Sequence, residues 1–125
     1  MDNYDEAELF RILEETDITD EKALTITIGR NIGKTPMSDE MWTEFRNRTL
    51  RLITGELYAN ATYQGIWVNS DNVEIHEESA IFYGMTELSE LDIMTELHFL
   101  RELFLQDAIG YQFGQAGLVE RKGTK

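Results

Sequence analysis

Stretches in which large apolar residues recur every third or fourth position alternate with stretches in which they recur every second. That alternation limits the folds open to this chain more than any other feature. Over 39–53, Trp42, Phe45, Thr49 and Leu52 fall on one helical face. Ser38 supplies an N-cap, Asp39 and Glu40 suit the positive end of the helix dipole, and Gly55 ends the run. A second helix is predicted from the capping pair Ser89 and Asp92, through Ile93, Leu97, Leu100 and Phe104, to about residue 106. The other segments read as strands. "ALTITIG" sets Leu24, Ile26 and Ile28 against Thr25 and Thr27 with period two, so one face is apolar. "ELYANATYQGIWV" and "NVEIHEESAIFYG" are rich in β-branched and aromatic residues and flank the turn Asn69-Ser70-Asp71-Asn72, which predicts a hairpin. A last strand is predicted between Ala108 and Phe113, with Gly114 separating it from the short run Ala116 to Val119.

Stripped of its start, the order is βαββαβ. Two helices can then cover one face of an antiparallel sheet, which is an α+β, ferredoxin-like plan. Residues 1–22 are crowded with Asp and Glu against only Arg11 and Lys22, and Leu9, Phe10 and Leu13 stand at helical spacing. They predict a short acidic amphipathic helix preceding one ferredoxin-like domain over 23–125. A chain of 125 residues buries enough surface to stand without metal or disulfide staples. The fold hosts many unrelated functions, so function has to be argued from the site.

The formal net charge is −13. Nucleic acid is gripped by clustered Lys and Arg, so direct nucleic-acid binding is disfavoured. Three readings of the charge remain: solubility through repulsion, mimicry of DNA toward a basic protein, and attraction of a cationic ligand. The basic residues Arg46, Arg48 and Arg51, with Arg30 and Lys34 nearby, break up the acidic surface that a mimic would present. The sequence contains no cysteine, which excludes disulfides, thiolate metal sites and a Cys nucleophile. The opening MDNYDEAELF has neither a basic nor an apolar leader, and no run approaches the roughly 20 apolar residues of a membrane span. The expectation is a soluble, cytoplasmic protein with no membrane partner.

"IGRNIGKTP" (28–36) contains Gly-Lys-Thr between a strand and a helix and so invites comparison with a phosphate-binding loop. Only Arg30, Asn31 and Ile32 separate the first Gly from Gly-Lys-Thr, where that loop has four residues. Pro36 also biases Thr35 away from helical geometry. The segment reads as a glycine-containing β-to-α turn, with Lys34 available to hold a carboxylate or ribose. On the hairpin, Glu74, His76, Glu77 and Glu78 crowd one strand, and Tyr63 and Trp67 lie on the strand before. Period two separates His76 from Glu77, and His98 is on a different element, so no metal site is predicted. An aromatic ring beside a carboxylate suits a small organic cation. A solvated acidic strand is the plainer alternative. Gln106 and Asp107 fall at the corner between second helix and last strand, where a cap or turn residue is the plainer reading of Asp107.

The pattern Gly65-x-Trp67, ten residues, Glu78 within "EESAIFYG", an amphipathic helix, Gln106-Asp107 and then "AGLVERKG" resembles the phage-encoded S-adenosylmethionine (SAM) lyases, long called SAM hydrolases. The likeness runs over about 55–123, and a little-studied family of small bacterial proteins resembles "GRNIGKTPMSDEMWTEF" with the Gly-x-Trp. Resemblance to the lyases implies a homotrimer distantly similar to PII signalling proteins, with active sites between subunits, in the cytoplasm of an infected bacterium. It implies cofactor-free cleavage of SAM to 5′-methylthioadenosine and homoserine lactone, removing the methyl donor on which restriction and related defences depend. Glu78 would be the essential glutamate that orients substrate, with Glu77 in its place if the register slips by one. Trp67 stands where the family often has Tyr and lacks that hydroxyl, while Gln106 and Asp107 match a Gln-acid pair that supports the site; Tyr63, beside the hairpin carboxylates, is a further substrate-binding candidate read from the residues alone. The alternatives are an acidic DNA mimic or other anti-defence binder, and a PII-like nucleotide-sensing module without turnover.

Overall fold

The computed structural model describes residues 20–114. The helix expected within 1–22 and the run Ala116 to Val119 therefore lie outside the described residues, apart from the strand that begins at Lys22. In chain order the elements are β1 (Lys22–Gly29), β2 (Asn31–Ile32), β3 (Thr35–Pro36), α1 (Asp39–Leu50), β4 (Leu57–Val68), β5 (Glu74–Thr86), α2 (Glu90–Leu103) and β6 (Gly110–Gly114). The four long strands form an antiparallel sheet in the order β4-β5-β1-β6. With the first strand between the third and the last, this is the ferredoxin-like arrangement that the βαββαβ order predicts.

Period two decides which face is covered. Leu24, Ile26 and Ile28 of β1 join Ala80 and Phe82 of β5 in one core with Trp42 and Phe45 of α1 and Ile93, Leu97 and Leu100 of α2. Both helices therefore lie on the same face, and Thr25 and Thr27 point to the other. Phe45 stacks on Phe104 at 4.5 Å between ring centroids and meets Trp42 edge-on at 6.1 Å, which joins α1 to the far end of α2. Each helix starts as its cap predicts, with Ser38 Oγ accepting from the Met41 amide at 3.2 Å and Ser89 Oγ from the Asp92 amide at 3.1 Å. The hairpin turn is held by Asn69 Oδ1, which accepts from the amides of Asp71 (2.9 Å) and Val73 (3.0 Å).

The Gly-Lys-Thr segment differs from the predicted β-to-α turn. It folds as a two-stranded ribbon in which Asn31 faces Pro36 and Ile32 faces Thr35, and Gly33 at the tip has a φ of 62°. A left-handed residue at the tip of so short a ribbon favours glycine. Pro36 lacks an amide proton and takes an extended place in the ribbon, so the helix waits for Ser38. Gly-Lys-Thr thus does not stand at a helix N-terminus.

Candidate functional site

The two adjacent glutamates of β5 point to opposite faces. Glu78 shares the parity of Ala80 and Phe82 and lies on the helix side, whereas Glu77 and Ser79 lie on the face that no helix covers. On the helix side, Glu78 accepts from Trp42 Nε1 at 2.8 Å and from Arg30 at 3.2 Å. Arg30 also donates to Asp39 at 2.6 Å and to the Met37 carbonyl at 2.8 Å. The bond to Asp39 contributes most to raising the guanidinium's pKa, with the charge of Glu78 adding to it and desolvation opposing it. These contacts seat the start of α1 on the end of the sheet.

On the open face is a cavity of about 410 Å3, within the range of small-molecule sites. Its floor is the end of the sheet where β1 leaves and β6 begins, with Thr27, Gly29 and Gly110. Cross-strand pairs place Tyr63 beside Ser79, Gly65 beside Glu77 and Trp67 beside Ile75, so β4 supplies an aromatic wall and β5 a carboxylate. Gly65 leaves room for the Ser79 hydroxyl, which a Cβ at that position would meet. The loop after α2 closes the other side with Gln106 and Asp107.

That loop is aimed by the end of α2. The Gln106 amide donates to the Arg101 carbonyl at 2.8 Å and the Leu105 amide to Glu102 at 3.3 Å, the pattern of a Schellman cap. The cap places Leu105 in the left-handed region at φ 53°, a conformation that costs a branched side chain roughly 1–2 kcal/mol. Glycine usually holds this position, and backbone strain of this kind concentrates at functional sites. Gln106 is buried, and its Nε2 donates to the carbonyls of Asn31 and Phe104, each at 3.1 Å.

Of the residues singled out in the sequence, Tyr63, Trp67, Glu77, Gln106 and Asp107 line this one cavity. Glu78 is turned to the opposite face, so the carboxylate in the cavity belongs to the position before it. Lys34 is exposed in the β2–β3 ribbon and does not line the cavity. His76 pairs with Glu74 of its own strand at 2.7 Å, and among the described residues no three His, Asp or Glu side chains gather as a metal site would require. Thr27, Gly29, Asn31 and Ser79 also line the cavity and belong to no motif in the sequence that marks a site. For Thr27, Gly29 and Ser79 the signal lies in the half of "ALTITIG" opposite its apolar face and in the period-two step from Glu77 to Ser79.

The fold and cavity together define a ferredoxin-like α+β protein with a small-molecule-sized site on its uncovered sheet face. In fold, the chain is similar to a solved phage SAM lyase in complex with S-methyl-5′-thioadenosine, at 19% identity and a TM-score of 0.53 over 81% of this chain and 85% of that one. A phage SAM lyase in the apo state also matches, at 17% identity and a TM-score of 0.49 over 79% of this chain and 92% of that one. No family model matches the sequence, and no curated protein matches it. Among the described residues, no helix is long and apolar enough to cross a membrane.

Proposed function

We propose that this protein is a SAM lyase, cleaving its substrate to 5′-methylthioadenosine and homoserine lactone in the cavity on the open sheet face. The observation that carries the reading is convergence. Trp67, Glu77, Gln106 and Asp107, scattered through the motif that resembles the lyases, meet around one cavity together with Tyr63. Likeness in fold to a lyase that holds S-methyl-5′-thioadenosine, the thioether this cleavage would release, supports it.

The reaction needs little from the protein beyond conformation. An oxygen of the substrate's own carboxylate attacks the methionyl γ-carbon, the bond from that carbon to sulfur breaks, and its electron pair neutralises the sulfonium. A five-membered lactone and a neutral thioether result, and no proton changes hands. The substrate must be held folded with the reacting atoms close, which is the kind of positioning that lowers a barrier without a catalytic base. Glu77 takes the substrate's ammonium end and faces its sulfonium, and the Trp67 and Tyr63 rings pack on the cation. Gln106 and Asp107 bind from the opposite wall, leaving the substrate carboxylate free to attack.

The assembly proposed is a homotrimer. Tyr63, Ile66, Trp67 and Val68 are exposed large side chains on the edge strand β4, the kind of edge that proteins usually cover. A neighbouring subunit against this edge would close the cavity. Depletion of SAM in an infected bacterial cytoplasm, countering restriction or related defences, is the biological role proposed.

Incubation with SAM should yield methylthioadenosine and homoserine lactone in equal amounts, separated by liquid chromatography. Folded protein that releases no more methylthioadenosine than buffer would sink the proposal. Lys34→Ala, a surface change outside the cavity, is expected to leave KM within about two-fold, as surface substitutions change free energies by roughly 0.5 kcal/mol or less. A KM rise of ten-fold or more would return Lys34 to the site.

A further inference from the structure

The Glu77 carboxylate does not enter the cavity freely. Its Oε2 accepts from the backbone amide of Asn31 at 2.8 Å. To reach that amide the side chain lies over Gly29, and a Cβ built on Gly29 would clash with the carboxylate group. The backbone at Gly29 is not left-handed, so conformation does not demand glycine there. Room for the carboxylate does. The other side of the same loop residue is held too, because the Asn31 carbonyl accepts from Gln106 Nε2 at 3.1 Å. Arg30, one residue earlier, grips Glu78 on the helix side, both through its guanidinium and through its amide, which donates to the Glu78 carbonyl at 2.9 Å. The Gly29-Arg30-Asn31 segment therefore fixes both neighbouring glutamates of β5, one on each face.

We infer that Gly29 and the Asn31 amide are positioning elements that aim Glu77 into the cavity, with Gln106 acting on the same carboxylate through Asn31. The inference rests on the lyase reading for its kinetic consequence, but the contact it describes exists without substrate. A methyl group at position 29 must shift the carboxylate, which weakens its bond to the Asn31 amide and displaces a charge from its place in the cavity. Positioning errors of about 1 Å can lower a rate by about 100-fold. If Gly29 acts only by making room for Glu77, removing the Glu77 side chain must abolish the effect of a Cβ at position 29.

A double-mutant cycle tests this, using wild type, Gly29→Ala, Glu77→Ala and the double variant. Gly29→Ala alone is expected to lower kcat for methylthioadenosine formation by about 100-fold with a smaller change in KM. In the Glu77→Ala background, the same change should alter kcat by less than about two-fold. Thermal unfolding of the four proteins supplies a readout that needs no substrate. Gly29→Ala should lower the melting temperature of wild type by about 4 °C or more, and leave that of Glu77→Ala unchanged or raised. Melting shifts that simply add would overturn the inference whatever the activity, as would a Gly29→Ala variant with wild-type kcat. Wild-type protein without turnover, but with coupled melting shifts, would reject the lyase reading and support the placement of Glu77 by Gly29.

Discussion

Glu77→Gln is expected to reduce methylthioadenosine formation by about 100-fold or more while leaving the melting temperature nearly unchanged, and Glu78→Ala is expected to do the reverse. The two residues are neighbours in sequence and differ only in the face they occupy. Glutamine at 77 keeps an oxygen to accept from the Asn31 amide, so the fold loses little. What it removes is the negative charge opposite the proposed cationic substrate, and losing one aligned electrostatic group in a site commonly costs about 100- to 1,000-fold. Alanine at 78 instead strips the indole N–H of Trp42, itself buried, of its acceptor and removes one partner of Arg30. A donor left without a partner in the interior costs about 1–3 kcal/mol, and the lower half of that range applies because Glu78 is 43% exposed and solvent screens its ion pair. Kinetics and thermal unfolding of both variants, measured side by side, check the pair. Loss of turnover in a folded Glu78→Ala protein, with Glu77→Gln fully active, would place the working carboxylate on the helix side and displace the cavity from the mechanism.

The fold and the faces of the two glutamates are encoded in the sequence in different ways. The strands and helices are set by local periodicity, and the antiparallel βαββαβ order follows because Leu24, Ile26 and Ile28 must meet the apolar stripes of both helices. Motif matching, in contrast, counts positions without knowing the face, and a slip of one residue in a strand turns a side chain through the sheet. Counting back by twos from the core residues Phe82 and Ala80 puts Glu78 on the covered face, so that signal was available. The β2–β3 ribbon was harder to read because it consists of two residues on each side, and Gly33 fits a β-to-α turn as well as a ribbon tip. The sequence puts Gln106 and Asp107 at a corner, yet the αL turn at Leu105 that aims them carries no glycine to announce it. Asn31 acts through its backbone, which no side-chain motif records.

Phe45→Ala is expected to cost much of the protein's stability, and it should reach the site before it unfolds the protein. Phe45 is fully buried and touches both Trp42 and Phe104, so truncation removes a ring from the centre of the core and leaves a cavity that rigid neighbours fill only in part. Such changes cost about 3–5 kcal/mol, a large share of the roughly 5–15 kcal/mol that holds a domain together. The damage has a direction. Phe104 loses its stacking partner, and the Phe104 carbonyl is one of the two that hold the Gln106 amide. The Gln106–Asp107 wall should therefore loosen first, at temperatures where the sheet is still intact. Hydrogen exchange of the Leu105 and Gln106 amides, both bonded within the α2 cap, should accelerate in Phe45→Ala more than that of the central β1 amides. Denaturant unfolding measures the total cost. Uniform acceleration across β1 and the α2 cap would mean that the ring supports the core as a whole and gives the site no separate hold on it.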